Sequence, residues 1–257
     1  MKLYSILFEE KFNSYQPPEY AMVDWQGETE KGFALLHVEN FKAWVENGLM
    51  GSPNDWLCAY CGVKTVHEND CKKAVETNYI VRSPQFPGAG SVMYALISDY
   101  YQKPITSDRL SSTSNSAKKA WAKIESSSDW TKVELDNYYQ HNTRYPKYWF
   151  RFDGSWPNRT GKNEDENGQP LKPLTPEDES DDCRLPVSSG EPVNAVLGTA
   201  NAWLYHGPFK AGPLLDHGDE ILNSIGTNNG ASREELKEKI KSQAFKLYRS
   251  QYKGIEG

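Results

Sequence analysis

The chain has little that would take it into or across a membrane. No stretch of its 257 residues comes near the roughly 18 consecutive apolar residues of a membrane helix. Its first residues, "MKLYSILFEEKF", are too short a run and too quickly acidic for a secretory signal, so the expected location is the cytoplasm. Cysteine is scarce, at four residues, which excludes a disulfide framework and suggests reduced thiols. Basic residues are not in excess: the net charge is -6, which argues against a general nucleic-acid or anionic-membrane surface. There is no internal repeat and no Gly-x4-Gly-Lys-Ser/Thr string, so a phosphate-binding P-loop is absent.

What is abundant is aromatic. Eight Trp and fifteen Tyr supply burial that aliphatic residues would otherwise provide. The first half alternates strand-like and helix-like segments. Strands are expected over 20–25, 32–38, 55–66 and 74–81, with a helix over 38–48 that stops at Gly48. Further expectations are a helix after Gly90, a short strand over 104–108, a helix ending near Ser126, and strands over 130–138 and 148–152. The segment 154–191 is rich in Pro, Gly and acidic residues and reads as an acidic loop or linker. A strand over 202–207, a short helical piece over 212–226 and a final long helix follow. Ser232 and Glu235 form a capping box for that helix, and Leu236, Ile240, Ala244 and Leu247 give it an apolar stripe. The expected organisation is one domain over 1–153, the linker over 154–191 and a mainly helical extension over 192–257.

The most informative junction is "NYIVRSPQFPGAGSVM" (Asn78–Met93), where a β-prone run passes through two glycines into a helix. A dinucleotide fingerprint would need a third glycine where Met93 stands. The order Gln85-x-x-Gly88-x-Gly90, placed between a strand and a helix, resembles the pyrophosphate-binding signature of the GNAT N-acetyltransferase superfamily. Glycines let backbone approach an anion, and a helix N-terminus adds partial positive charge. Downstream, Ala117 and Trp121 keep the Ala-to-aromatic spacing of the family's next helix, with Ser114 in the place of its Asn and Trp121 in the place of its Tyr. The combination of Ser107-Asp108-Arg109, Ala117, Trp121, Leu135-Asp136-Asn137 and Asp181-Asp182-Cys183 also looks like divergent GNAT-like proteins of bacterial viruses, whose setting is the host cytoplasm.

The resemblance implies an α/β fold: a mixed, mostly antiparallel central sheet flanked by helices, here with a C-terminal extension ending in a long helix. It implies acetyl-CoA as cosubstrate, held by the backbone of Gln85, Phe86, Gly88, Ala89, Gly90 and Ser91, with Pro87 unable to donate. The pantetheine arm would lie along the fourth strand at Ile80 and Val81, where that strand splays from the fifth. Glu76 is the implied base. Indole cannot replace the Tyr acid, so Asp108, Ser112 or Tyr94 would take its part. The implied activity is transfer of an acetyl group to an amine acceptor, small molecule or protein, with no nucleic acid and no membrane as partner. The acidic segment would attract a cationic acceptor. The departure at Trp121 leaves open a GNAT-like binding or structural protein without catalysis.

A separate pattern, Cys58-x2-Cys61-x5-His67-x3-Cys71, is one residue off a zinc knuckle. Against a zinc-dependent interaction module stands the strand-like character of the segment, in which Cys58 and Cys61 would face opposite sides as buried thiols. His37 reads as a satisfied core residue, and "HGDE" (His217–Glu220) as an exposed turn at a helix start.

Overall fold

In the computed structural model, residues 15–27, 30–64, 74–107, 115–134 and 201–252 are described. Their elements, in chain order, are β1 (Tyr20–Gln26), β2 (Glu30–His37), α1 (Val38–Glu46), a 3-10 turn (Pro53–Asp55), β3 (Leu57–Lys64), β4 (Val75–Arg82), α2 (Ala89–Tyr101), β5 (Ile105–Ser107), α3 (Asn115–Ser126), β6 (Trp130–Glu134), β7 (Asn201–Tyr205), α4 (Ala211–Asn229) and α5 (Arg233–Tyr252). The sheet order is β1-β2-β3-β4-β5-β7-β6. β1/β2, β2/β3, β5/β7 and β6/β7 pair antiparallel, and β4/β5 pair parallel. The fold class is therefore α/β with a mixed, mostly antiparallel sheet. Among the described residues no helix is long and apolar enough to cross a membrane. The expected strand over 148–152 and the linker over 154–191 lie outside the described residues.

The chain forms two compact units, and β4 contributes to both: Val75–Thr77 to the second and Asn78–Arg82 to the first. The first unit holds β1–β3, α1, α2, α4 and α5. Alternation along its strands sorts the side chains by face. Ala21, Val23 and Trp25 of β1 and Ala34 and Leu36 of β2 join Tyr60, Phe41, Trp44 and Trp56 in one core. Ile221 and Leu222 of α4, and Leu236, Ile240, Ala244 and Leu247 of α5, complete it. The apolar stripe read from the last helix thus packs inward. Phe33, of opposite parity on β2, meets the rings of Tyr100 and Tyr101 on α2 at 5.0 and 6.1 Å.

The helix ends follow local chemistry. His37 caps α1, its Nδ1 accepting from the Asn40 amide at 3.4 Å. The residue is hydrogen-bonded, as read from the sequence, but half-buried at a helix start and not in the core. Gly48, at φ 67°, turns the chain out of α1. The capping box of α5 is formed: Ser232 Oγ accepts from the Glu235 amide at 3.1 Å, and Glu235 Oε2 accepts from the Ser232 amide at 2.7 Å.

One reading is corrected. His217–Glu220 is no turn; it lies inside the continuous helix α4. Glycine there has a packing purpose, because a Cβ on Gly218 would meet the Met22 carbonyl oxygen of β1 at 2.0 Å. The helix crosses the strand at a distance only glycine permits, and this contact outweighs glycine's poor helix propensity.

In the second unit, Val75–Thr77 pairs with Ile105–Ser107, and Thr77 Oγ1 donates to the Thr106 carbonyl at 3.1 Å. β6 and β7 align from Trp130↔Tyr205 to Glu134↔Asn201. Ala74, Ala202 and Val133 form a small apolar contact there.

Candidate functional site

The junction after β4 is built by a chain of backbone hydrogen bonds. Buried Ser83 donates its amide to the Cys58 carbonyl at 3.0 Å and its hydroxyl to the Asn54 carbonyl at 2.8 Å. The same hydroxyl oxygen accepts from the Gln85 amide at 3.2 Å. Phe86 then donates to the Ser83 carbonyl (3.2 Å), Ala89 to the Phe86 carbonyl (3.3 Å), and Ser91 and Val92 share the Gly88 carbonyl at 2.9 and 3.1 Å. Pro87 has no N–H. The amides that find no acceptor among the described residues are those of Gly88 and Gly90. Of the six residues expected to form the cradle, four thus have their amides occupied by the chain itself.

A backbone angle and one contact set the Gly88 peptide. Gly88 sits at φ 95°, in the left-handed region, with nothing within 4 Å of where a side chain would stand. Glycine is needed for conformation there and not for space. Tyr15, from before β1, donates its hydroxyl to the Pro87 carbonyl at 3.1 Å. In a trans peptide the C=O and the following N–H point oppositely, so fixing the Pro87 oxygen on Tyr15 directs the Gly88 N–H away from it. Burial raises the Tyr15 phenol well above its ordinary range, so it remains a donor.

The flanks of the cradle are specific to this chain. A Cβ on Gly90 would lie 3.7 Å from both Ile80 Cγ2 and Arg82 Cδ. Ile80 and the exposed Arg82 therefore border Gly90. Val81 points into the core shared with α4 and α5. Gln85 is exposed, and its Nε2 donates to Asp55 Oδ1 at 2.8 Å, tying the loop to the 3-10 turn. Phe86 places its ring 5.8 Å from His37. Gln251 of α5 donates to the Arg82 carbonyl at 2.7 Å. Neither Arg82 nor Tyr15 was singled out by the sequence; Tyr15 lies 72 residues from its partner Pro87, so no local pattern joins them.

The other expected residues distribute as follows. Glu76 is buried on β4, at 4% exposure, within the second unit. Tyr94 is buried on α2, and Trp121 is half-buried on α3. Asp108, Ser112, His67 and Cys71 lie outside the described residues. Cys58 and Cys61 are both fully buried, and burial pushes both thiols up, against the thiolate form. The β2/β3 register shifts at Leu35/Leu36, opposite Ala59 and Leu57, so strict alternation is interrupted at Cys58. Among the described residues no group of three or more His, Cys, Asp or Glu could hold a metal ion.

A second constellation in the first unit escaped the sequence entirely. Glu30 opens β2, and its Oε1 accepts from Tyr79 Oη of β4 at 2.5 Å and from Tyr60 Oη of β3 at 3.1 Å. The two phenol oxygens are 2.6 Å apart. Asn78 Nδ2 donates to Glu30 Oε2 at 3.3 Å. Burial first, and the neighbouring carboxylate with it, raise both phenols far above their usual range. A Cβ on Gly62 would stand 2.7 Å from Glu30 Oε2 and 2.8 Å from Tyr79 Cζ, so β3 needs a glycine where these groups cross it. Compared with family models, with curated proteins and with solved structures, the chain gives no match.

Proposed function

We propose that the protein is an acetyl-CoA-dependent N-acetyltransferase whose diphosphate site is the turn between β4 and α2. The observation that carries this reading is the state of the amides after β4. The chain satisfies those of Phe86, Ala89 and Ser91 and leaves Gly88 and Gly90 open at the start of a 13-residue helix. Two open N–H groups at the positive end of a helix dipole suit a diphosphate. Arg82 beside Gly90 adds a cation to the same surface.

The surroundings agree with the resemblance in kind. The glycines follow the fourth of the strands described, and among the described residues that strand pairs in parallel with the fifth over Val75–Thr77. A pantetheine amide chain laid beside Ile80 would pair as an added strand.

The chemistry asked of such a site is modest. The amine nitrogen bonds to the thioester carbonyl carbon, the carbon–sulfur bond breaks, the amine gives up a proton and the leaving thiolate gains one. Holding both reactants together supplies most of the rate. Glu76 is the carboxylate to which this reading assigns the amine proton, through water where needed.

Calorimetry with acetyl-CoA and with CoA tests the site. Saturable binding of both, weakened by about thirtyfold or more by Arg82→Ala together with Gly88→Val, is the expected result (about 1.4 kcal/mol per tenfold). Failure of the wild-type chain to bind either would end the proposal. Release of CoA in the presence of amines then separates an enzyme from a binder; binding without turnover would identify the non-catalytic protein that Trp121 leaves open.

A further inference from the structure

The last helix ends on a side chain that breaks its own apolar stripe. Leu236, Ile240, Ala244 and Leu247 of α5 are buried in the core of the first unit. Gln251, four residues after Leu247, lies on the same face one turn further on. A hydrophobe would extend the stripe there; the chain has an amide. Gln251 is exposed, and its Nε2 donates to the Arg82 carbonyl at 2.7 Å. Three residues earlier, Tyr248 packs its ring 4.3 Å from that of Tyr79. α5 thus meets β4 at Tyr79 and again at its last residue, Arg82, where the glycine turn begins.

The bond falls on a peptide that β3 already holds from its other end. Arg82 and Ser83 share that peptide unit, and the Ser83 amide donates to the Cys58 carbonyl at 3.0 Å. In a trans peptide the N–H and C=O point oppositely, so β3 fixes one end and α5 the other. With both ends held, the backbone at Arg82 cannot swing, and the direction in which its side chain leaves the strand is set. Val81 points into the core shared with α5, so Arg82 leaves on the opposite face. There its Cδ lies 3.7 Å from where a Cβ on Gly90 would stand. Its charge is also felt at the Tyr15 phenol, which burial raises and the Arg82 cation lowers. Tyr15 is the residue that holds the Pro87 carbonyl. The cation is therefore placed at the turn, beside Gly90.

We propose that Gln251 is a positioning residue of the diphosphate site: through the Arg82 peptide it holds the Arg82 side chain against the glycine turn, and the C-terminal helix belongs to the site. This role rests on the acetyl-CoA reading above and goes beyond it, because a strand, a glycine turn and a helix can form a cradle without α5. Gln251 touches no reactant; it acts on the ligand only through Arg82. Coupling of this kind is reciprocal. A last helix that steadies Arg82 for the ligand is itself steadied when the ligand engages Arg82. The final turn of α5 is the place to see it, since helix ends open more readily than the buried middle.

The test uses the full chain, CoA as the probe and Gln251→Met, which keeps the length of the side chain and removes the donor. Gln251 is exposed, so the variant should fold, and its denaturation midpoint checks this. CoA affinity by calorimetry is expected to fall about threefold, less than one whole hydrogen bond is worth. In an Arg82→Ala background the same substitution should change nothing, because the side chain it positions is gone. Hydrogen exchange supplies a readout that a merely structural bond would not move: CoA should slow exchange over 248–252 in the wild-type chain and not in Gln251→Met. An equal loss in the Arg82→Ala background, or exchange over 248–252 that ignores bound CoA, would overturn the proposal. An affinity unchanged in Gln251→Met would overturn it while leaving the transferase reading intact. Failure of the wild-type chain to bind CoA would end both. Should Gln251→Met lower the midpoint, Gln251→Glu, polar but also without the donor, serves the same comparison.

Discussion

At the junction after β4 the groups without partners are backbone donors; at Glu30 a carboxylate meets two phenols. Both lie in the first unit, and Tyr79 and Ile80, which belong to the two regions, are adjacent on one strand. The cradle is open because a turn consumes alternate amides and leaves Gly88 and Gly90. At Glu30, two phenols bring two hydrogens to three oxygen–oxygen contacts. One region presents backbone donors and the other a carboxylate, and each can be damaged without the other.

The strongest way to break the pairing is Gly88→Val. A β-branched residue at φ 95° is strained whatever the space around it, so the turn must rearrange. CoA affinity should fall by about thirtyfold or more, near 2 kcal/mol, while the fluorescence of Trp25, which stacks on Tyr60, stays at the wild-type value. A change in both would show that the two regions are not independent.

Gly62→Ala strikes the opposite region. The new methyl would press on Glu30 Oε2 at 2.7 Å and Tyr79 Cζ at 2.8 Å. Overpacking of this kind costs about 1–3 kcal/mol, read as a lower denaturation midpoint with CoA binding retained. A variant as stable as the parent would show that Glu30 and Tyr79 do not cross β3 as described.

A finer probe of the cradle is Tyr15→Phe, which removes only the hydroxyl that holds the Pro87 carbonyl. The peptide is then free to tilt, and CoA affinity should drop about fivefold, near 1 kcal/mol, the usual worth of one hydrogen bond. An unchanged affinity would mean that the Gly88 amide orients itself.

The smallest effect is expected at Asp24, a carboxylate of the same unit held by two lysines. Burial alone would raise its carboxyl, but hydrogen bonds and charge from Lys31 and then Lys237 prevail, and it lies below its ordinary value. A depressed folded pKa stabilises above the unfolded value of about 3.9 and ceases to do so as pH falls through the folded one. Asp24→Asn should therefore cost about 0.5–1 kcal/mol at pH 7, scaled to its partial exposure, and the gap to wild type should close below pH of about 4. A gap that persists in acid would assign the loss to packing and not to charge.

Much of the fold is legible in the residues. Every strand and helix expected within the described residues is present, because each is written in short-range periodicity and punctuated by Gly48, Gly88 or the Ser232–Glu235 box. The exception is the exposed turn read at His217–Glu220 within the helical piece over 212–226: the helix is continuous there, with β1 standing 2.0 Å from where a Gly218 side chain would begin. The cradle was visible in outline, since its glycines are neighbours in sequence. Which of its amides stay open was not visible, because that depends on hydrogen bonds closed turn by turn and on Tyr15.

Local pattern alone determined the order of elements, the glycine turn before α2 and the inward stripe of α5, since these depend on residues within a few positions of one another. Only tertiary structure decided that α4 and α5 cover the sheet of the first unit, and that Glu30 stands against Tyr60 and Tyr79, residues 30 and 49 positions away. Side chains that meet across adjacent strands share no periodic signal, and the register that joins them is set by the packing of the whole sheet.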